Sequence, residues 1–448
     1  MDNFWMPLHK LIETYCQQFD ASWQKRKRVI DTQFLVIFIF KLVLSKNKQG
    51  YRSLLEELWE NTRFSELQQS PVSASSLCEA RQKLPPEIFK LLNKNIVSAY
   101  AQEEPLKLWH GHHVFAVDGS KINLPRELIN YGYKAPNKYQ HYPKGLMSTL
   151  YHLGSGFIFD GILSNDKSER HCLLSHMNVL SPDDILVLDR GYFSYLVLYK
   201  AIEKGLHLIC RIQSGNVNKA IQSFLDSNEV DGVITYEPSG VVLHEIKKQG
   251  FTIKSKPIKL RLMKYMIDDE VYLCATTLFD SKRYPLGDFS STYHARWGIE
   301  ELYKISKEFV EIEDFHGQTE NTVQQECYAH LLLINIARIF ESQAKKNLPP
   351  PTEASSKAEG RDSYWQDFCG DIKRLKINFK NCLLVVGRHL INLFLPTIFL
   401  KKDYLDKIIK GISRLKQKIR PGRHAPRQSR KPIKKWKDCW GRKVAYAP

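Results

Sequence analysis

The stretch HVFAVDGS at residues 113–120 begins the region that sets the architecture of this chain. It is rich in aliphatic and aromatic residues and ends in a turn-forming Asp-Gly-Ser, as a short buried strand does. The predicted elements, in chain order, are strands at 113–120, 146–153 and 156–163, a helix at 170–180, a strand at 184–189, a helix at 193–205 and a strand at 207–212. Three antiparallel strands followed by helix–strand–helix–strand predict a mixed α/β sheet with a right-handed crossover.

The rest of the chain differs in pattern from this region. Residues 1–105 have apolar positions at helical spacing and predict a helical N-terminal domain, for which DNA binding is one hypothesis. Residues 213–288 alternate apolar and polar positions, which indicates a β-rich insertion before a helix predicted at 291–342. We therefore predict a helical domain at 1–105, an α/β domain at 106–345 that contains the insertion, a linker at 346–361 and a helical C-terminal region with a basic tail at 362–448.

The charge of the chain is strongly basic and unevenly distributed. Lys and Arg number 66 against 48 Asp and Glu, for a formal net charge of +18. Residues 401–448 alone carry 17 Lys or Arg and 3 Asp, a net of +14. Trp436, Trp440, Tyr404 and Tyr446 lie among these cations, and aromatic rings can stack on bases while cations contact phosphates. The tail is thus either a solvated chain end or a nucleic-acid contact.

The cysteines and the apolar runs indicate the cellular compartment of the protein. Nine cysteines without a Cys-x-x-Cys pair indicate reduced thiols and argue against a disulfide framework or a cysteine-rich zinc site. The apolar runs at 34–44 and 383–400 are too short or too interrupted to span a membrane and predict buried helices. We expect a cytoplasmic protein without membrane contact.

Three acidic residues are candidates for metal-dependent chemistry. Asp118 and Asp189 each close a predicted strand, where a carboxylate can project into a cleft. Glu300 lies in the predicted helix YHARWGIEELYKISK (293–307). Each has a simpler explanation, because Asp-Gly is a common turn, Asp is a good helix cap and Glu300 could pair with Lys304 on a solvated helix. Together, however, three carboxylates suit two Mg²⁺ ions in phosphoryl transfer.

The helix at 293–307 also carries a stripe of polar side chains. Tyr293, Arg296, Glu300 and Lys307 are spaced so that they fall on one helical face, and Lys304 joins them. A face of this composition does not form a hydrophobic core. It indicates either a solvated surface or a binding site.

This spacing resembles the signature of the insertion-sequence-four family of DDE transposases. The contexts VDGS around Asp118, LDRGY around Asp189 and RWGIEE around Glu300 resemble that family as well, over residues 110 to 340. The resemblance implies a ribonuclease-H-like catalytic domain interrupted by a β-rich insertion subdomain. It also implies metal-dependent cleavage of double-stranded DNA at the terminal inverted repeats, strand transfer into target DNA, and a homodimer on DNA in a bacterial cytoplasm.

The resemblance also implies roles for individual residues. Asp118, Asp189 and Glu300 match the catalytic residues that bind two Mg²⁺ ions, which Mn²⁺ can replace. Tyr293, Arg296 and Lys307, with Lys304 beside them, match positions that bind the DNA backbone. The alternative function is a catalytically inactive or domesticated DNA-binding protein, and a ribonuclease-H-like nuclease that cuts without joining is a third hypothesis.

The sequence departs from the family in its aromatic residues. Some relatives stack a tryptophan of the insertion on a flipped base, but no Trp occurs here between Trp109 and Trp297. Tyr265, Tyr272 and Phe279 are the alternatives, and the spacing does not select among them.

Other acidic residues could be mistaken for members of the site. Asp160 and Asp166 lie near the third predicted strand, and Glu301 points about 100° away from Glu300 on a helix. Asp183 and Asp184 are expected to be solvated at the opposite end of the strand that leads to Asp189.

Overall fold

The structure is a computed structural model that describes residues 2–24, 29–45, 49–60, 70–165, 168–213, 218–267, 270–308, 310–349, 375–394 and 402–418. The predicted linker, apart from its first residues, lies outside these ranges, as do Asp166 and the basic tail beyond residue 418. Within the described part of the chain, no helix is both long and apolar enough to cross a membrane.

The N-terminal region is helical, as predicted. Its helices are α1 (Asp2–Trp23), α2 (Thr32–Leu44), α3 (Tyr51–Glu60), α4 (Ala74–Lys83) and α5 (Glu87–Glu103). The side chain of Asp31 caps α2 by accepting a hydrogen bond from the backbone N–H of Phe34. Helix α2 is apolar on all sides and almost fully buried, which confirms that the run at 34–44 is a core helix.

One mixed sheet of eight strands forms the centre of the molecule. Its strands are β1 (Val114–Asn123), β2 (Lys144–His152), β3 (Ile158–Ser164), β4 (Ile185–Leu188), β5 (His207–Ile212), β6 (Asp231–Tyr236), β7 (Ile258–Ile267) and β8 (Glu270–Thr276). The order across the sheet is β3-β2-β1-β4-β5-β8-β7-β6. Strands β3, β2 and β1 pair antiparallel, whereas β1, β4 and β5 are parallel. This confirms the predicted meander followed by two crossovers, the strand order of a ribonuclease-H-like core.

The insertion at 213–288 contributes to this same sheet. Strand β8 pairs antiparallel with β5, and β7 and β6 continue outward, so three strands of the insertion extend the core. The segment also contains two helices that the alternating pattern did not predict, α8 (Lys219–Asp226) and α9 (Gly240–Lys248). Both helices start with a side-chain cap, at Asn218 and Ser239.

The helix predicted at 291–342 is three helices in the structure. The crossover helices on the sheet are α6 (Glu169–His176) and α7 (Tyr195–Glu203), and after the insertion come α10 (Leu286–Ala295), α11 (Trp297–Glu308) and α12 (Glu320–Lys345). Helix α12 is buried along most of its length because it packs between the sheet and the N-terminal helices. The C-terminal part consists of β9 (Leu375–Ile377), α13 (Phe379–Phe394), α14 (Lys402–Arg414) and β10 (Lys416–Lys418).

A buried ion pair joins the N-terminal helices to α12. Arg81 of α4 pairs with Glu326 of α12, and both side chains are 1% exposed. Although burial alone would raise the pKa of Glu326, the Arg81 guanidinium and hydrogen bonds from His316 lower it to about 2. An unpaired charge at this depth would be costly, so each partner requires the other.

Candidate active site

Asp118 lies inside a strand rather than at its end, contrary to the prediction. Strand β1 continues to Asn123, but its pairing with β4 stops at Ala116, opposite Val187. Beyond this point β1 pairs with β2 alone, and Thr149 is the partner of Asp118. The pairing of the two parallel strands therefore ends just before Asp118.

Asp189 stands at the same level on the neighbouring strand. Asp118 and Asp189 each follow the last β1–β4 pair by two residues, and Asp189 begins a short 3-10 helix at Arg190–Tyr192. Its side chain makes no capping bond there but accepts a hydrogen bond of 3.0 Å from the Tyr293 hydroxyl. Asp189 is thus oriented by a residue of α10 instead of serving as a helix cap.

Glu300 joins this neighbourhood through Arg296. The Arg296 guanidinium donates to Glu300 over 2.7 Å and lies 3.9 Å from a carboxylate oxygen of Asp118. It is also electrostatically coupled to Asp189. Arg296 is 7% exposed, and its Nε has no hydrogen-bond partner among the described residues. One buried guanidinium therefore interacts with all three predicted catalytic acids.

Burial dominates the electrostatics of Asp118. It raises the pKa of the Asp118 carboxyl to about 6, although the backbone N–H of Gly119 and the charge of Arg296 oppose the rise. The negative charges of Glu169 and Glu300 contribute to the rise. A carboxyl in this state favours any added positive charge, because a cation would relieve both the burial and the repulsion.

The polar stripe predicted at 293–307 is divided between two helices. Tyr293 belongs to α10, Arg296 is the residue between the helices, and Lys304 and Lys307 follow Glu300 on α11. Tyr293 and Arg296 turn inward to the acids, whereas Lys304 is exposed and the Lys307 ammonium donates to the backbone oxygen of Lys121 over 2.7 Å. The structure thus places Tyr293 and Arg296 next to the acids, whereas Lys304 and Lys307 lie farther along α11.

Two residues near the acids were missed by the sequence interpretation. The Tyr303 hydroxyl lies 2.8 Å from the backbone oxygens of both Asp118 and Met147 and so holds β1 and β2 against α11. Glu169 lies in the first turn of α6, and a Cβ added to Gly119 would stand 3.1 Å from its Cγ. Tyr303 follows Glu300 by three residues, a helical spacing that could have indicated it, whereas only the packing of α6 on β1 reveals Glu169.

The remaining acidic residues lie apart from the site. Asp160 pairs with His176 at 2.8 Å and with Lys90 at 3.2 Å. Asp183 is 83% exposed on its side chain, as expected, but the expectation that Asp184 is solvated is wrong. Asp184 is 7% exposed because its carboxylate turns back to cap the backbone N–H of Ser181.

The donor chemistry of the acids suits Mg²⁺, since Asp118, Asp189 and Glu300 offer only carboxylate oxygens. The unpartnered Nε of Arg296 shows that this guanidinium is only partly satisfied by the acids around it. Within the described residues, however, no three His, Cys, Asp or Glu side chains are close enough to bind a single metal ion. The residues therefore fit a divalent cation in kind, and Arg296 supplies the positive charge beside them in this conformation.

Comparison with known proteins identifies the family. The sequence profile of the transposase DDE domain matches residues 109–336, which is half of the chain. The protein belongs to the transposase DDE domain family, a class of phosphoryl-transfer enzymes that use divalent metal ions. No curated protein has detectable sequence similarity to the chain.

A solved transposase structure is among those that are similar to the chain at a low level. It is the cryo-EM structure of the piggyBac transposase synaptic complex with hairpin DNA, with 13% identity and a TM-score of 0.38 over 92% of this chain and 85% of that chain. A score of this size does not establish a shared architecture. The ribonuclease-H-like class of the core is apparent from its own strand order.

Proposed function

We propose that this chain is a transposase of the insertion-sequence-four family that cleaves DNA at the ends of its element and joins them to target DNA. The observation that carries the proposal is the placement of Asp118, Asp189 and Glu300 around the single guanidinium of Arg296. Three carboxylates from two neighbouring strands and one helix are what a two-metal phosphoryl transfer requires.

Asp118, Asp189 and Glu300 are the proposed catalytic residues and metal ligands. Two Mg²⁺ ions, which Mn²⁺ can replace, would activate the attacking water or 3′-hydroxyl and stabilise the leaving oxygen. The chain itself orients the acids. The Gly119 N–H holds one Asp118 oxygen at 3.0 Å, and the Tyr293 hydroxyl holds Asp189.

Arg296, Tyr293, Lys304 and Lys307 are the proposed contacts to the DNA backbone. Arg296 can exchange its pairing with Glu300 for a phosphate, because a guanidinium matches a phosphate as well as a carboxylate. Lys304 is exposed on α11 and can meet a phosphate directly. This exchange would release Glu300 for the reaction at the time when DNA arrives.

The remaining assignments belong to the same proposal. The helical region at 1–105 and the C-terminal region at 362–448, with its basic tail, would bind DNA beside the catalytic domain at 106–345. The partners would be the terminal inverted repeats and target DNA, held by a homodimer in a bacterial cytoplasm.

The test is cleavage of a duplex that carries the element's terminal repeat, by purified protein in Mg²⁺ or in EDTA. We expect nicking that exposes a 3′-hydroxyl in Mg²⁺ alone, and its loss in Asp118→Ala, Asp189→Ala and Glu300→Ala with DNA binding retained. Glu301→Ala is the matched control, because this neighbouring glutamate is exposed and lies about 100° from Glu300 around α11. Specific binding without cleavage in any divalent metal would instead indicate the alternative, a catalytically inactive or domesticated protein that occupies element ends.

A further inference from the structure

The connection between β1 and β2 ends in an exposed tip, which we call the tyrosine loop (residues 134–144). Tyr139 and Tyr142 are 77% and 63% exposed, the largest fractions among the exposed aromatic residues that the structure describes. The tip also contains Lys134, Lys138 and Lys144 and no acidic residue. Two solvent-facing rings among three cations form neither a core nor an ordinary charged surface.

The base of this connection is held firmly. Leu124, Leu128 and Tyr133 are buried, and the Tyr133 hydroxyl donates to Glu320 over 3.1 Å. The Lys144 N–H donates to the Lys134 carbonyl over 3.1 Å and closes the loop. The exposed rings therefore stand on a packed base that orders them.

The tip itself is a hydrogen-bonded turn. The Asn137 side chain accepts from the backbone N–H of Tyr139 over 3.0 Å, and the Gln140 N–H donates to the Asn137 carbonyl over 3.3 Å. The Lys138 ammonium lies 5.1 Å from the centre of the Tyr139 ring. This geometry presents the rings to solvent together with a cation.

The tyrosine loop adjoins the end of β1 that lies beyond Asp118. Strand β1 runs from Asp118 to Asn123, and Asn123 pairs with Lys144, the last residue of the tyrosine loop. This end of the loop therefore lies about 17 Å from Asp118 along the strand, at roughly 3.3 Å per residue. Glu313, which follows α11, accepts two hydrogen bonds of 3.0 Å from Asn123. If a DNA strand runs from Asp118 along β1, about five nucleotides at roughly 3.4 Å per step would bring it to Lys144 at this end of the loop.

We propose that the tyrosine loop binds unpaired DNA beside the cleavage site. Tyr139 and Tyr142 would stack on exposed bases, and the three lysines would contact the phosphates. Aromatic stacking tolerates any base, and lysines in a loop that contains no acidic residue of its own attract the backbone. This inference rests on the proposed function, because it takes the scissile phosphate to lie at Asp118.

The experiment measures binding of two fluorescent DNAs in EDTA, so that no cleavage occurs. One is a duplex with a single-stranded tail that contains 2-aminopurine, and the other is the same duplex with blunt ends. For the double variant Tyr139→Ala/Tyr142→Ala we expect on the order of a 10- to 100-fold loss of affinity for the tailed DNA, and little change for the blunt DNA. Quenching of 2-aminopurine by the wild-type protein should disappear in the same variant.

Matched variants make the result specific to the rings. Tyr139→Phe/Tyr142→Phe keeps both rings and should bind as the wild type does. Phe279→Ala removes another exposed ring, 46% exposed. Although the sequence left Phe279 open as a residue that stacks on a flipped base, its position in the sheet makes us expect no effect of this variant. Phe279 follows β8 and lies near the start of β5, at the opposite end of the sheet from the acids.

Two results would overturn the proposal. The first is a double alanine variant that has the unfolding midpoint, the DNA affinity and the 2-aminopurine quenching of the wild type. The second is a double alanine variant that loses affinity equally for the tailed and the blunt DNA. The cleavage assay tests the proposed function separately. If the protein does not cleave DNA but the double alanine variant still binds tailed DNA more weakly, the proposed function is wrong and the loop is still a DNA contact. If cleavage is normal but the double alanine variant binds tailed DNA as the wild type does, only the proposal for the loop is wrong.

Discussion

Replacing Asp118 by Asn should stabilise the folded protein, because the buried carboxylate is held at a cost. An asparagine at this position would keep nearly the same shape, and its side-chain oxygen could still accept from the Gly119 N–H. The pKa of Asp118 is about 6 in the folded chain against an ordinary value of 3.8. At about 1.4 kcal/mol for each tenfold change in the proton equilibrium, this difference corresponds to roughly 3 kcal/mol.

The size of the effect depends on pH. Below pH 3.8 the carboxyl is protonated in both the folded and the unfolded chain, so the substitution should change stability little. Between pH 3.8 and about 6 the unfolded chain ionises first, and the stability of the wild-type protein falls as the pH rises. Above a pH of about 6 the full difference of roughly 3 kcal/mol in favour of Asp118→Asn should be present.

The assay is urea unfolding in EDTA across this pH range, with Asp226→Asn as the control because Asp226 is exposed. Added Mg²⁺ should raise the stability of the wild-type protein more than that of Asp118→Asn, since a ligand stabilises only the state that binds it. Equal stability of wild type and Asp118→Asn at every pH would contradict this expectation. It would show that the carboxyl is not desolvated in the folded protein.

Three further predictions concern buried contacts. Arg81→Met should lower the free energy of unfolding by about 3–5 kcal/mol, because it leaves the charge of Glu326 buried without its partner. Urea unfolding measures this loss. A loss no larger than the one caused by breaking an exposed ion pair would contradict the prediction. The depressed pKa of Glu326 stabilises the wild-type fold above its ordinary value of 4.5, and this contribution should fade as the pH falls toward about 2. Tyr303→Phe keeps the ring but removes the hydroxyl that contacts the backbone oxygens of Asp118 and Met147. The variant should lose about 1–3 kcal/mol of stability and cleave DNA more slowly. Unchanged stability together with unchanged cleavage would exclude a positioning role for Tyr303.

Much of the core could be predicted from local sequence patterns. The runs that became β1 to β5 combine β-branched and aromatic residues with turn residues at their ends, and these local preferences agree with the final sheet. The apolar run at 34–44 became a buried helix for the same reason. The transposase DDE domain was likewise indicated by short motifs around Asp118, Asp189 and Glu300.

Errors arose where a distant partner sets an element's limits. Strand β1 continues past Asp118 because β2 remains paired with it as far as Asn123 and Lys144. The helix predicted at 291–342 is interrupted after Ala295, which lets Tyr293 and Arg296 turn toward the acids. The length of β1 and the break after Ala295 both depend on contacts with distant segments, so no local sequence pattern predicts them.

The order of residues along the chain was enough to select candidate residues for the chemistry, because side-chain type and spacing along strands and helices are local properties. It was also enough to predict the α/β order of the core, since periodicity and turn residues specify that order. The three-dimensional packing was needed to show that Arg296 interacts with three acids, that Glu169 lies against Gly119, and that the insertion extends the central sheet. These features arise from contacts between segments far apart in the chain, where burial and charge are set by neighbours that the linear order does not reveal.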